Sequence, residues 1–344
     1  MLQKLIIGLL LATHSIGFAQ VKQSTNIGQQ TFSFIDPSRH RLVKTEVWYP
    51  TADTLKKSDQ YFSPFIRQFT VRNGQLPTRQ LPLILFSHGT GGGRLTLEWL
   101  AQGLARKGFM VAAVDHYGNT FDNKIPLEFL KPWERPLDIS FALTSLLQNE
   151  SFKAVIDSSR IGALGFSFGG YTVIALAGAV TNFTTLLTYY KTNGRHELEI
   201  PELPGISTYV DDPTLAEAAK ETPPLKDNRI KAFFSISPAL GQGFTKSEQV
   251  KAIQAPIYII GSQSDSIAPV VANARHFHKL IRGSRYYEFP GKTGHYVMLS
   301  EAIEELKKSD PIYFTDDKSV DRHQIHGQVI DLSVDFFRNK LKLR

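Results

Sequence analysis

Four short runs of this sequence are apolar almost without interruption, and each stops at a small or polar residue: LPLILFSHG (residues 81–89), FMVAAVDH (109–116), RIGALGFS (160–167) and PIYIIGS (256–262). Runs of this length cannot be half-exposed strands, which alternate apolar and polar positions. They fit strands buried on both faces, as in a parallel sheet. Between them lie stretches with helical spacing, LEWLAQGLARKG (97–108), LDISFALTSLLQ (137–148) and YTVIALAGAV (171–180). Further strands are predicted at TFSFID (31–36), LVKTEVWYP (42–50), IKAFFSIS (230–237) and RYYEFP (285–290), a helix at VVANARHFHKLI (270–281), and a terminal helix from about Asp321. Alternating strands and helices imply an α/β fold, a mostly parallel sheet with helices on both faces.

One segment breaks the rhythm. From 181 to 228 the chain is polar and proline-containing, with leucines and aromatics interspersed. It is too long for a simple connection and is expected to be a lid-like insertion over the sheet edge. The amino terminus, MLQKLIIGLLLATHSIGFAQ, has a lysine, an apolar stretch and then Gly17 and Ala19. It matches a cleavable export signal over residues 1–19, giving a secreted or periplasmic protein; a membrane anchor would need a longer unbroken apolar run. The remainder, 20–344, is expected to form one domain. No later stretch is long and apolar enough to span a membrane.

The chain of 344 residues has no cysteine, which excludes disulfides, thiolate nucleophiles and thiolate metal sites. Its formal charge of +7 is spread along the sequence without blocks, and no nucleic-acid motif accompanies it.

The third apolar run leads into Gly165-Phe166-Ser167-Phe168-Gly169, a G-x-S-x-G pattern. The pattern alone occurs by chance. Placed between a strand and a helix, it describes a sharp turn that presents a serine hydroxyl at the helix amino terminus. A serine needs a base, and the base needs an orienting acid, in the chain order Ser, Asp, His. Asp265 follows the strand PIYIIGS, and His295 follows RYYEFP and two glycines. All three positions lie at carboxyl ends of strands, where open α/β sheets bind ligands. The developing oxyanion needs two N–H donors: the amide of Phe168, and that of Thr90 in the loop Ser87-His88-Gly89-Thr90-Gly91-Gly92-Gly93. That loop lacks the lysine and spacing of a phosphate-binding loop. His323 and His326, three apart on the terminal helix, have no carboxylate motif beside them and read as helix surface rather than metal ligands. His276 and His278 lie on a helix. His40 and His196 are expected in solvent. His116 is open to either a pocket-lining or a structural role.

In this order, LILFSHGTGGG, VDHYGNT, ERPLDIS, RIGALGFSFGGYT, GSQSDSIAP and TGHYV resemble bacterial α/β-hydrolases described as predicted dienelactone hydrolases or relatives of the plasma-type platelet-activating-factor acetylhydrolase. The resemblance runs from about Thr31 to the end and is weakest in the insertion. It implies an α/β-hydrolase fold and serine-esterase activity, with the nucleophile on Ser167, the base on His295 and the oxyanion donors on Thr90 and Phe168. Two departures matter. Phe166 stands where many relatives carry histidine. The acid that follows the next strand in the acetylhydrolase is absent from IKAFFSISPAL, which leaves the role to Asp265. The expected activity is hydrolysis of small carboxylic esters, with no metal or organic cofactor and no nucleic-acid partner. A serine peptidase using the same residues, and an inactive binding protein on this fold, are the alternatives.

Overall fold

The computed structural model describes residues 26–343; the expected export signal lies outside them. Nine strands form one sheet. They are β1 (Asn26–Asp36), β2 (Arg41–Thr51), β3 (Val71–Arg72), β4 (Leu81–Ser87), β5 (Met110–Val114), β6 (Ile156–Phe166), β7 (Ala232–Ile236), β8 (Ile257–Ser262) and β9 (Arg285–Phe289). Their order is β3-β1-β2-β5-β4-β6-β7-β8-β9. From β5 to β9 all neighbours are parallel, while β2 pairs antiparallel with both β1 and β5.

The apolar runs are buried on both faces, as their composition requires. In β4, Leu83 and Leu85 face a core shared with the helices Glu134–Gln148, Phe168–Leu176 and Ala274–Leu280. Ile84 and Phe86, of opposite pleat, face the helices Glu98–Arg106 and Arg322–Lys340. Each such side chain contributes about 1.5–3 kcal/mol on leaving water. Among the described residues, no helix is long and apolar enough to cross a membrane.

Helix boundaries depart from expectation in ways that shape the site. The helix expected from Leu137 begins at Glu134. Pro136 fits there because first-turn amides have no partner within the helix, and this brings Arg135 into the helix. The helix expected from Tyr171 begins at Phe168 and ends at Leu176, before Gly178 at φ +117°. The one expected from Val270 starts only at Ala274; Asn273 instead accepts the Gly241 N–H at 2.9 Å.

Within 181–228 the chain forms the helices Phe183–Lys191 and Pro213–Lys220 and two 3₁₀ turns, Arg195–Leu198 and Ile206–Tyr209. Leu186, Leu187, Tyr190, Leu198, Ile206 and Leu215 form a small core of their own with Phe129 and Leu130.

Candidate active site

Ser167 occupies the one-residue joint between β6 and the helix Phe168–Leu176, at φ 56° and ψ −120°. A non-glycine residue there carries about 1–3 kcal/mol of backbone strain, held only because the surroundings over-determine it. Those surroundings are visible. The Ser167 N–H donates to Ile236 O at 2.9 Å, and its carbonyl accepts from Ala239 N–H at 3.1 Å. The glycines are required by close approach. A Cβ on Gly165 would lie 2.0 Å from Gly169 O, and one on Gly169 would lie 1.9 Å from Ser87 O.

The Ser167 Oγ is 2.9 Å from His295 Nε2. The other ring nitrogen, Nδ1, is 2.7 Å from Asp265 Oδ2. Asp265 is itself anchored by the N–H groups of Ile267 at 3.0 Å and Ala268 at 2.7 Å, both donating to Oδ1. With Nδ1–H donating to the carboxylate, Nε2 is left as an acceptor for the serine hydroxyl. Three residues separated by 98 and 30 positions thus meet in one hydrogen-bonded line. Phe166 packs its ring on the His295 imidazole, centroids 4.8 Å apart. Ser237, at the end of β7 where the resemblance would place the acid, has its Oγ 3.5 Å from Ser262 Oγ.

The loop after β4 brings Thr90 beside Ser167; both line the same two cavities. The next four amides are occupied: Gly91 donates to Asn119, Gly92 to Gly89 O, Gly93 to Thr96 and Arg94 to Asp115. Among the described residues, the Thr90 and Phe168 amides meet no acceptor. Two free N–H groups therefore flank the serine.

The two cavities differ. One, of about 100 Å³, is walled mainly by apolar residues of the insertion and the segment before the helix Glu134–Gln148, including Phe129, Phe183, Leu186, Leu187, Leu198 and Ile206. Glu197 and Gln242 make its polar corner, with Gln242 Nε2 donating to Glu197 Oε2 at 2.9 Å. The other is an open cleft of about 660 Å³ that includes His295 and an aromatic rim of Tyr61, Phe62, Phe65, Phe121, Tyr296 and Tyr313. The stretch 51–80, irregular in sequence, supplies part of this rim. Trp133 packs edge-on against Phe183 and Tyr117 lies beneath Arg41; neither lines either cavity.

The insertion reaches the site through Glu202. Its carboxylate accepts the Tyr296 hydroxyl at 2.8 Å, next to His295, and its side chain covers Gly91. Burial raises the Glu202 carboxyl above its ordinary range, opposed by that hydroxyl.

The remaining histidines fall out differently. His116 lines neither cavity: it is fully buried and bridges Ser87 Oγ at 2.8 Å and Asp138 Oδ2 at 3.0 Å. His88 is also buried. His323 pairs with Glu301 in solvent, while His326 stacks on Trp99 and bonds Val297 O. Among the described residues no cluster of three or more His, Asp or Glu is arranged to hold a metal ion. Sequence reasoning missed Asp138, Arg135, Glu202 and Tyr296. The first two could have been sought in ERPLDIS, where they stand three apart on one helix face.

Residues 61–121 match the family described as platelet-activating factor acetylhydrolase, isoform II. That span holds the first part of the cleft rim, β4, the glycine loop and β5. Among solved structures, the chain is similar to a ferulic acid esterase from Streptomyces cinnamoneus, with TM-score 0.63 and 18% identity over 95% of this chain and 93% of that one. At this identity the likeness shows the α/β-hydrolase fold. The fold is widespread, with 1100 matching chains, and a fold shared so broadly does not by itself set the chemistry.

Proposed function

We propose that this chain, an α/β-hydrolase related to carboxylic-ester hydrolases, is a secreted serine esterase acting on short-acyl esters through an acyl-enzyme. The observation that carries the proposal is the Ser167 hydroxyl, held on a strained joint, bonded to His295 and open to both cavities. Ser167 Oγ attacks the ester carbonyl while His295 Nε2 takes its proton. Asp265 holds the imidazole in the Nδ1–H tautomer and stabilises the imidazolium. The Thr90 and Phe168 amides receive the oxyanion. As the tetrahedral intermediate collapses, the C–O bond to the alcohol breaks and His295 returns the proton to the departing oxygen. Water, activated by the same histidine, then releases the carboxylic acid and restores the serine. These steps call on no metal or organic cofactor.

The two cavities give the substrate a direction. The leaving alcohol must lie next to the group that protonates it, and His295 lines only the larger cleft. The acyl chain therefore enters the smaller cavity, which lacks His295. At about 100 Å³, it holds roughly three to four heavy atoms at ~30 Å³ each. That favours acetyl to butyryl groups; a feruloyl group, the acid named for the structural neighbour, exceeds it several-fold. The 181–228 insertion acts as the acyl-side cap of a single domain spanning 20–344, and residues 1–19 as the export signal.

The decisive experiment is labelling with a fluorophosphonate probe, with hydrolysis of p-nitrophenyl esters alongside aminoacyl p-nitroanilides. Labelling lost in Ser167→Ala together with ester turnover is expected. An unlabelled wild-type protein would leave an inactive binding protein, and faster anilide turnover would make the enzyme an amidase.

A further inference from the structure

Arg135 is 1% exposed and makes no direct ion pair among the described residues. Its Nη2 donates a short hydrogen bond to His88 O, and its guanidinium carbon sits 4.5 Å from the centroid of the Phe168 ring. The Nε and Nη1 donors are buried without partners. Burial lowers its pKa to about 9, with Asp138 the opposing attraction. A buried cation with two unused donors is costly, and nothing in packing alone accounts for retaining it.

Its contacts do. His88 Nδ1 lies 2.6 Å from Gly89 O, and His88 Nε2 accepts the His116 N–H at 3.2 Å, which fixes the ring as the Nδ1–H tautomer. Arg135 thus draws the His88 carbonyl inward, and the His88 ring draws the Gly89 carbonyl inward. In a trans peptide unit the C=O and N–H point in opposite directions. Anchoring Gly89 O inside therefore turns the N–H of Thr90 outward, toward the cavities it shares with Ser167. The same guanidinium backs the ring of Phe168, the residue that carries the second free amide.

We propose that Arg135 is a positioning residue of the oxyanion site: one buried side chain sets both donor-bearing segments against each other. The inference rests on Ser167 being the nucleophile and Thr90 and Phe168 its oxyanion donors. It separates from a purely structural role by its readout: lost packing lowers the thermal midpoint, whereas a misplaced oxyanion donor lowers kcat and transition-state affinity.

Arg135→Met and Arg135→Lys would be assayed on p-nitrophenyl acetate, with thermal midpoints measured in parallel. In Arg135→Met, kcat is expected to fall by on the order of ten- to a hundredfold while KM stays within about twofold. Affinity for an alkylboronic acid, whose tetrahedral adduct mimics the oxyanion, should fall by the same factor as kcat/KM, and inhibition by the product acid should not change. Arg135→Lys should recover part of the loss. If folded Arg135→Met keeps wild-type kcat and boronate affinity, the proposal is overturned. It is overturned equally if the variant loses substrate and boronate affinity alike. If the methionine variant does not fold, the lysine variant is read by the same kcat and boronate criteria. Ser167→Ala in the same assay keeps the two ideas apart: full activity there removes the nucleophile, whereas an inactive Ser167→Ala beside a fully active Arg135→Met removes only the role of Arg135.

Discussion

Ser87 Oγ donates to Nε2 of His116 across 2.8 Å. With Asp138 on the far side of the ring at 3.0 Å, this is a second Ser–His–Asp line in the same protein. It differs from the line through Ser167 in every respect that chemistry needs. All three residues are fully buried, Ser87 ends a regular strand, and it lines neither of the cavities that reach Ser167. A fluorophosphonate is therefore expected to modify one serine, Ser167. Ser87→Ala should label at the wild-type stoichiometry and lose about 1–3 kcal/mol of stability, because buried His116 Nε2 is left without a donor. Mass spectrometry of the labelled peptide checks this, and label on Ser87 would refute it.

Acid should unfold the protein through its buried histidines. Burial, reinforced by the positive charge of Arg135, holds His88 and His116 well below the usual imidazole range, and burial holds His326 down to about 3. All three are neutral when folded and protonate near 6.5 when unfolded. Their folded values lie below the unfolded ones, so their contribution is complete above about pH 6.5 and is lost as pH falls below it, at about 1.4 kcal/mol per pH unit for each histidine. His326→Phe keeps the stack on Trp99 and removes one such proton. Urea unfolding between about pH 6 and 4 should show a slope shallower by about 1.4 kcal/mol per unit than wild type. An unchanged slope would contradict it.

Acyl length should be set by Leu186 and Leu187. Both wall the cavity of about 100 Å³. With p-nitrophenyl esters of graded acyl length, kcat/KM should drop beyond about four carbons, each misfit methylene costing roughly 1–3 kcal/mol. Leu186→Ala or Leu187→Ala opens the wall by about three carbons and should move the optimum to longer acyl groups. Turnover that rises steadily into long-chain esters in the wild type would mean that the acyl group lies elsewhere.

Glu202 couples the insertion to the site at a cost in stability. Its folded pKa is raised by burial from 4.5. The stabilisation associated with its proton is thus present below that value and is lost as pH rises through the folded one. Glu202→Gln keeps an acceptor for the Tyr296 hydroxyl without the charge. Its unfolding midpoint should exceed that of wild type at neutral pH, by a margin that shrinks on acidification toward pH 4.5. A margin that does not vary with pH would show that burial of the charge is not its source.

Much of the fold was legible because strands buried on both faces leave an unmistakable apolar run; β4, β5, β6 and β8 were found within a few residues on that signal. Helix starts were less legible. Pro136 hides the first turn of the helix carrying Arg135, and a first turn has no internal amide bonds for a proline to break. The insertion's length and polarity marked it as extra, but nothing local announced that Glu202 would sit over Gly91.

By itself, the sequence determined the elements and their order, because pleat and helix periodicities are local. It also determined the strained joint at Ser167, because only glycines at 165 and 169 leave room for it. What tertiary structure alone decided is which hydroxyl faces a cavity. Ser87 ends a strand and Ser167 directly follows one, and each bonds a histidine that bonds an aspartate. The difference is that β6 turns sharply into its helix beside two cavities, while the end of β4 is sealed by Arg41, Asp138 and His116. Solvent access of that kind depends on side chains tens to hundreds of residues apart in the chain, and it exists only once they have packed.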